Sequence, residues 1–217
     1  MFFKKSPMDL LRTSCLAFRR SSSLFFLKAV KKVILSILVF LISFHFISMV
    51  PGLKILTSEF EKEKHIKEIL NILEKYPSDL ANGTKKELAE VIYEEATRYN
   101  HDPKFILALI SIESSFRNWS VSEKGAKGLM QIMPYVAQEI AQEIGIEWKG
   151  DHTLFNPLLN IKMGIHYLSR LINDFEDPRI AIAAYNYGPS YIKSLMERKQ
   201  KVPLHYYKRV ISAYQNL

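Results

Sequence analysis

The chain has 217 residues, room for one ordinary domain with appendages, and 48% of them are apolar, enough to build a core. Its formal charge of +8 hints at a polyanion partner, but the charge is uneven: residues 1–54 carry nine Lys or Arg and one Asp, whereas residues 55–217 carry 21 basic and 21 acidic residues. A nucleic-acid-binding domain is therefore unsupported, and the single Cys15 rules out an intrachain disulfide.

Residues 1–32 are basic and Ser-containing and read as a cytoplasmic tail. Residues 33–50 follow as 18 residues without a formal charge if His45 is neutral, close to the ~20 that cross a bilayer. Arg19, Arg20, Lys28, Lys31 and Lys32 lie just upstream, which predicts a cytoplasmic N-terminus and an exported C-terminal part. A cleaved signal peptide is the rival, but no small-residue cleavage site stands near Val50-Pro51-Gly52 and no Cys follows to take a lipid. The expectation is a single-pass transmembrane anchor retained in the cytoplasmic membrane, with the rest of the chain on its periplasmic or extracytoplasmic side.

Residues 51–83 read as a helical stalk or linker. Within them, Ile66, Ile69, Leu70 and Leu73 fall at helical spacing, which suits either a stalk or a helix packed on the following domain. Tyr76-Pro77-Ser78 and Asn82-Gly83 are expected to break it. From residue 84 helix starts recur. Thr84-Lys85-Lys86-Glu87 has capping-box spacing. Asp102-Pro103, Asn156-Pro157 and Asp177-Pro178 each place a capping side chain before a proline suited to a first turn. Strand-like alternation is scarce, so residues 84–217 are read as an all-α domain of short helices.

One acid stands out. Ile106, Leu109 and Ile110 lie seven, four and three residues before Glu113, which puts all four on one helical face. Apolar surroundings raise a carboxyl pKa, and the negative end of the helix dipole acts in the same direction. A carboxylic acid protonated near neutral pH can serve as a general acid. A Glu paired with an Arg, or one freed by fraying, remains the bland alternative.

Two further segments carry special composition. In GAKGLMQIMP (125–134), two glycines flank Ala126-Lys127 and allow close backbone approach, and Gln131 offers an amide that donates and accepts. The spacing is not that of a nucleotide-binding P-loop. In AIAAYNYGP (181–189), Ala181, Ala183 and Ala184 permit close helix contact before Tyr185 and Asn186, and Gly188-Pro189 ends the helix. The six histidines show no tight metal spacing, so no metal is expected.

Together these segments resemble the catalytic domain of the soluble lytic transglycosylases, a lysozyme-like fold, over roughly residues 88–215. The resemblance rests on Glu113-Ser114, Ser122, Gly125-Ala126-Lys127-Gly128-Leu129-Met130-Gln131, the stretch NIKMGIHYLSRLINDF (160–175) and Ala184-Tyr185-Asn186. It implies cleavage of the β-1,4 bond between N-acetylmuramic acid and N-acetylglucosamine in peptidoglycan glycan strands, with a 1,6-anhydromuramic product and no cofactor. Glu113 would protonate the leaving oxygen and then accept the muramic C6 hydroxyl proton, with the substrate's N-acetyl carbonyl thought to assist. By position, Ser122, Gln131 and Tyr185 match residues that orient the acid or hold sugar. Ser114, Met130 and Asn186 match residues of the helix end and cleft wall.

The family's Glu-Thr-x-x-Tyr-Val segment is not reproduced. The corresponding stretch is VPLHYYKRVISAY (202–214), where registering on Lys208-Arg209-Val210 makes Tyr206 the counterpart of the family tyrosine that lines the site, a shift of one residue makes it Tyr207, and either could instead be core. Two-carboxylate glycosidases need a second acid. Glu123, Asp151, Asp174, Glu176 and Asp177 qualify by type, each better read as solvated, and Asp177 as a cap. Hydrolysis by the same Glu113 with water, or a non-catalytic glycan-binding module, are the competing functions.

Overall fold

The computed structural model describes residues 30–45 and 51–217. Residues 1–29 and 46–50, which hold most of the basic tail and the end of the apolar run, lie outside the described residues. The chain divides into two units, Met1–Phe60 and Glu61–Leu217. In the first, helix α1 (30–45) leaves Val33, Leu35, Phe40 and Phe44 each more than half exposed. Among the described residues no helix is long and apolar enough to cross a membrane; of the expected span over 33–50, residues 33–45 belong to α1 and 46–50 lie outside the described residues.

Helix α2 (Pro51–Lys75) runs across the division. Of the two readings open for the 51–83 segment, packing applies to the C-terminal half of α2, where Ile69 and Leu73 are buried in the core of the second unit. Each such side chain contributes roughly 1.5–3 kcal/mol.

The second unit continues as α3 (Asn82–Arg98), α4 (Pro103–Glu113), α5 (Pro134–Glu143), α6 (Asp151–Leu154), α7 (Pro157–Phe175), α8 (Pro178–Tyr187), α9 (Pro189–Glu197) and α10 (His205–Asn216). It is all-α; two isolated bridges, Val121 with Lys127 and Lys127 with Ile132, fasten one loop. Three helix starts follow the Asx-Pro rule. Asp102 accepts from the Lys104 N–H, Asn156 from the Leu158 and Leu159 N–H groups, and Asp177 from the Arg179 N–H, each with Pro in the first turn.

The capping box at Thr84 does not form. Helix α3 starts three residues earlier, behind an extended Ala81 whose carbonyl takes the Lys85 N–H. Asn82 and Gly83, expected to break structure, occupy its first turn, where the leading N–H groups have no intrahelical partner and helix propensity matters least.

Helix α7 is the structural axis, packing on α3, α5, α6 and α8. Helix α4 lies between α3 and α10, and α10 also touches α8. The apolar stripe expected on α4 is broader than one face: Ile106, Leu107, Ala108, Leu109 and Ile110 are all buried, because neighbours cover the helix on more than one side.

Candidate active site

Glu113 is the last residue of α4. Ser114 closes the helix, its N–H and its hydroxyl both donating to the Ile110 carbonyl, and is itself buried. Ser115 and Phe116 then take left-handed φ values of 53° and 62°, a conformation that costs non-glycine residues about 1–2 kcal/mol each. Phe116 is fully buried with its ring centroid 4.5 Å from that of Tyr76, and this packing offsets the strain. The sharp turn stops α4 at the acid and sends the chain away from it.

The next loop is held by hydrogen bonds rather than helix. Asp79 accepts from the Asn118 N–H at 2.8 Å and the Trp119 N–H at 3.2 Å. The Ser122 hydroxyl accepts from the Ala126 N–H at 2.9 Å. Gly128 has φ +83°, and a Cβ there would stand 2.2 Å from Asn160 Nδ2 and 2.6 Å from the Leu154 carbonyl oxygen, so only glycine fits.

Asn160, fully buried on α7, accepts from the Met130 N–H at 2.8 Å and donates to the Lys127 and Leu154 carbonyls. Nothing in the sequence reading singled it out. Met130 packs against Gly164, one turn after Asn160, where a Cβ would meet its sulfur at 2.3 Å. Gln131, at φ 48°, donates both amide hydrogens inward, to the Ser120 and Gly128 carbonyls.

From the other side, α8 and α10 each bring a phenol. Tyr185 is buried, donates to the Met130 carbonyl at 2.8 Å and meets the Tyr167 ring at a 45° tilt, centroids 5.3 Å apart. Tyr206 is buried and donates to Glu113 Oε1. Of the two neighbouring tyrosines, it is thus Tyr206 that reaches the acid. Burial pushes both phenols well above their ordinary range, and the Glu113 charge adds to it.

Glu113 itself is pushed up to about 7. Desolvation dominates, opposed by the Tyr206 hydrogen bond and by the positive field of Arg209. The group can therefore hold a proton or give one up close to neutrality.

Glu113 opens on a cleft of about 450 Å³ lined also by Ser122, Gln131, Tyr185 and Asn186. Five of the residues expected at the site meet there. Ser114, Met130 and Tyr206 do not line the cleft; they are buried and support it. Among the candidate second acids, exposed Glu123 stands on the cleft. Asp151 pairs with Lys127 at 2.6 Å, Asp177 with Arg179 at 2.7 Å and Asp174 lies 4.0 Å from Lys193, while Glu176 ends α7 in a left-handed turn. Tyr187, also absent from the sequence reading, lies on the cleft edge. No group of His, Cys, Asp and Glu among the described residues could hold a metal ion.

An all-α domain that sets one desolvated carboxyl, backed by a phenol, into an open cleft has a group whose pKa suits proton transfer near neutrality. Residues 90–206 match the Transglycosylase SLT domain, and the chain belongs to that family. It is 35% identical over 104 residues to the soluble lytic murein transglycosylase of Salmonella typhimurium, covering 45% of this chain and 16% of that protein. To the membrane-bound lytic murein transglycosylase C of Histophilus somni it is 30% identical over 130 residues, covering 55% of this chain and 36% of that protein. The chain thus spans well under half the length of these curated relatives. Among solved structures it is similar to an inactive mutant of the lytic transglycosylase Slt from Pseudomonas aeruginosa, at 29% identity and a TM-score of 0.47, covering 58% of this chain and 21% of that one.

Proposed function

We propose that this protein is a peptidoglycan lytic transglycosylase, cleaving the β-1,4 bond between N-acetylmuramic acid and N-acetylglucosamine without water. The observation that carries the reading is a carboxyl at about 7, desolvated and backed by a phenol, on the cleft. Glu113 in its protonated form gives its proton to the glycosidic oxygen as the C1–O4 bond breaks. The carboxylate so formed, steadied by the Tyr206 phenol, then takes the proton of the muramic C6 hydroxyl as that oxygen bonds to C1. The acid ends as it began, no water is consumed, and the product is a 1,6-anhydromuramic end. One group serves both steps because its two protonation states lie close in free energy near neutral pH. Ser122, Gln131, Tyr185 and Asn186 would hold the sugars, and Ser114, Met130 and Tyr206 the acid and cleft wall.

Hydrolysis is the second reading, favoured by Glu123 on the same cleft, since a second carboxylate can activate water. Mass spectrometry of fragments released from purified peptidoglycan separates the two. Muramic ends one water lighter than reducing ends are expected; reducing ends would remove the lytic reading.

We infer further that residues 33–50 anchor the chain in the cytoplasmic membrane and that residues 84–217 work on its outer side. The all-round exposure of the apolar residues of α1 supports this, as does the basic flank before it. Carbonate extraction of membranes, followed by immunodetection, tests it: retention in the pellet is expected, and release to the supernatant would contradict it.

A further inference from the structure

Tyr187 and Tyr191 are exposed by 37% and 51%. They lie on either side of a break in the chain. Helix α8 ends at Tyr187, Gly188 takes φ +91°, and α9 begins at Pro189. The reversal brings the two rings to 6.4 Å between centroids at an interplanar angle of 52°. Tyr187 lines the cleft that holds Glu113, and Tyr191 stands one helical turn further from it along the chain.

The contrast with Tyr185 is informative. Two residues before Tyr187, Tyr185 is buried and its hydroxyl is used by the Met130 carbonyl. Tyr187 and Tyr191 serve no such structural end; neither hydroxyl has a protein partner among the described residues. Exposed aromatic pairs beside a cleft leave apolar area in water with nothing in the fold to offset it. Tyrosine also gives large, rigid, amphipathic contact area at small entropic cost. A hexopyranose ring has the complementary surface: an apolar face of axial C–H groups, edged by hydroxyls that a phenol can meet.

We propose that Tyr187 and Tyr191 form an aromatic shelf that carries the glycan strand out of the cleft, each ring stacking on the C–H face of a sugar beyond the bond being cleaved. The shelf rests on the reading of the cleft as a peptidoglycan site and adds to it a polymer-length preference. Strands long enough to cover both rings bind more tightly than fragments that fill the acid's own pocket.

The test is binding in a cleavage-silent background, so that it does not depend on turnover. The Glu113→Gln protein is titrated with peptide-free glycan strands of eight or more sugars and, separately, with the disaccharide unit. Tyr191→Ala is expected to weaken strand binding about three- to ten-fold and to leave disaccharide binding within two-fold. Tyr191→Phe, which keeps the ring, restores strand binding. Adding Tyr187→Ala to Tyr191→Ala weakens it further. Unchanged strand affinity in Tyr191→Ala, equal losses on strand and disaccharide, failure of Phe to restore binding, or no strand binding by the Glu113→Gln protein would each overturn the shelf. The lytic reading is judged separately, by the product masses of the unaltered protein.

Discussion

The two ends of α4 carry the same chemical pair in opposite surroundings. At the start, Asp102 accepts a hydrogen bond from the Tyr214 phenol at 2.5 Å; at the end, Glu113 accepts one from the Tyr206 phenol. Both phenols come from α10, which runs antiparallel to α4 and presents Tyr206, Val210 and Tyr214 at four-residue intervals, a reach of about 12 Å. Asp102 is exposed and caps the positive end of the helix dipole. Its hydrogen bond and charge raise the Tyr214 phenol. Glu113 sits at the negative end, desolvated, and is raised to about 7 despite its phenol and Arg209. At Glu113 the phenol lowers the carboxyl's pKa, and it is removal from water that raises it.

The comparison can be broken most severely at Glu113. Glu113→Gln is expected to lose more than a thousand-fold of lytic activity, roughly 4 kcal/mol or more in the barrier, while keeping its circular dichroism and its binding to glycan. Unchanged lysis would remove Glu113 from its role.

The next largest effect concerns stability and has an unusual sign. A carboxyl whose folded-state pKa lies above its unfolded value favours the fold fully below about 4.5, and that contribution is lost as pH climbs through about 7. Denaturant titrations should therefore find Glu113→Gln close to the unaltered protein at pH 4 and more stable than it at pH 8. The gain is bounded by roughly 3 kcal/mol. The sign is the test, because deleting a stabilising group would give the reverse.

Tyr206→Phe removes a hydrogen bond that holds the Glu113 pKa down. The alkaline limb of the pH–rate profile should move upward by about one pH unit, and the rate should fall about ten-fold as the carboxylate formed on proton transfer loses its donor. At the other end of α4, Asp102→Ala should cost about 1 kcal/mol of stability through loss of the cap. Tyr214→Phe should cost less, about 0.5 kcal/mol for an exposed hydrogen bond. Neither should displace the pH–rate profile; a displacement from either would mean that the two ends are coupled and the contrast is wrong.

How far the sequence reveals this arrangement depends on the range of the interactions involved. The caps at Asp102, Asn156 and Asp177 were legible because an Asx side chain and the following proline decide the outcome within three residues. The start of α3 was not, since the Thr84 capping box competed with a turn set by Ala81 and the first-turn tolerance of Asn82 and Gly83. The acid was legible as an anomaly, a Glu closing an apolar run. The depth of its setting came from α10, 93 residues away in sequence. Asn160 was invisible for the same reason: its partners Lys127 and Met130 lie 33 and 30 residues off, and a lone Asn in an amphipathic helix gives no local sign of serving a distant loop. Glycines do give one, and Gly128 and Gly164 mark where that loop and Met130 press against α7.

The central claim is that burial holds a proton on Glu113 near neutral pH. It is tested most directly by titrating the side-chain carboxyl carbons of protein labelled with 13C at the glutamate δ position, following each resonance by NMR from pH 3 to 9, with Glu113→Gln identifying the signal. A midpoint at about 7 for Glu113 is the expected result. A midpoint at its ordinary value of 4.5 would contradict the account, since the cleft would then present a carboxylate with no proton to give.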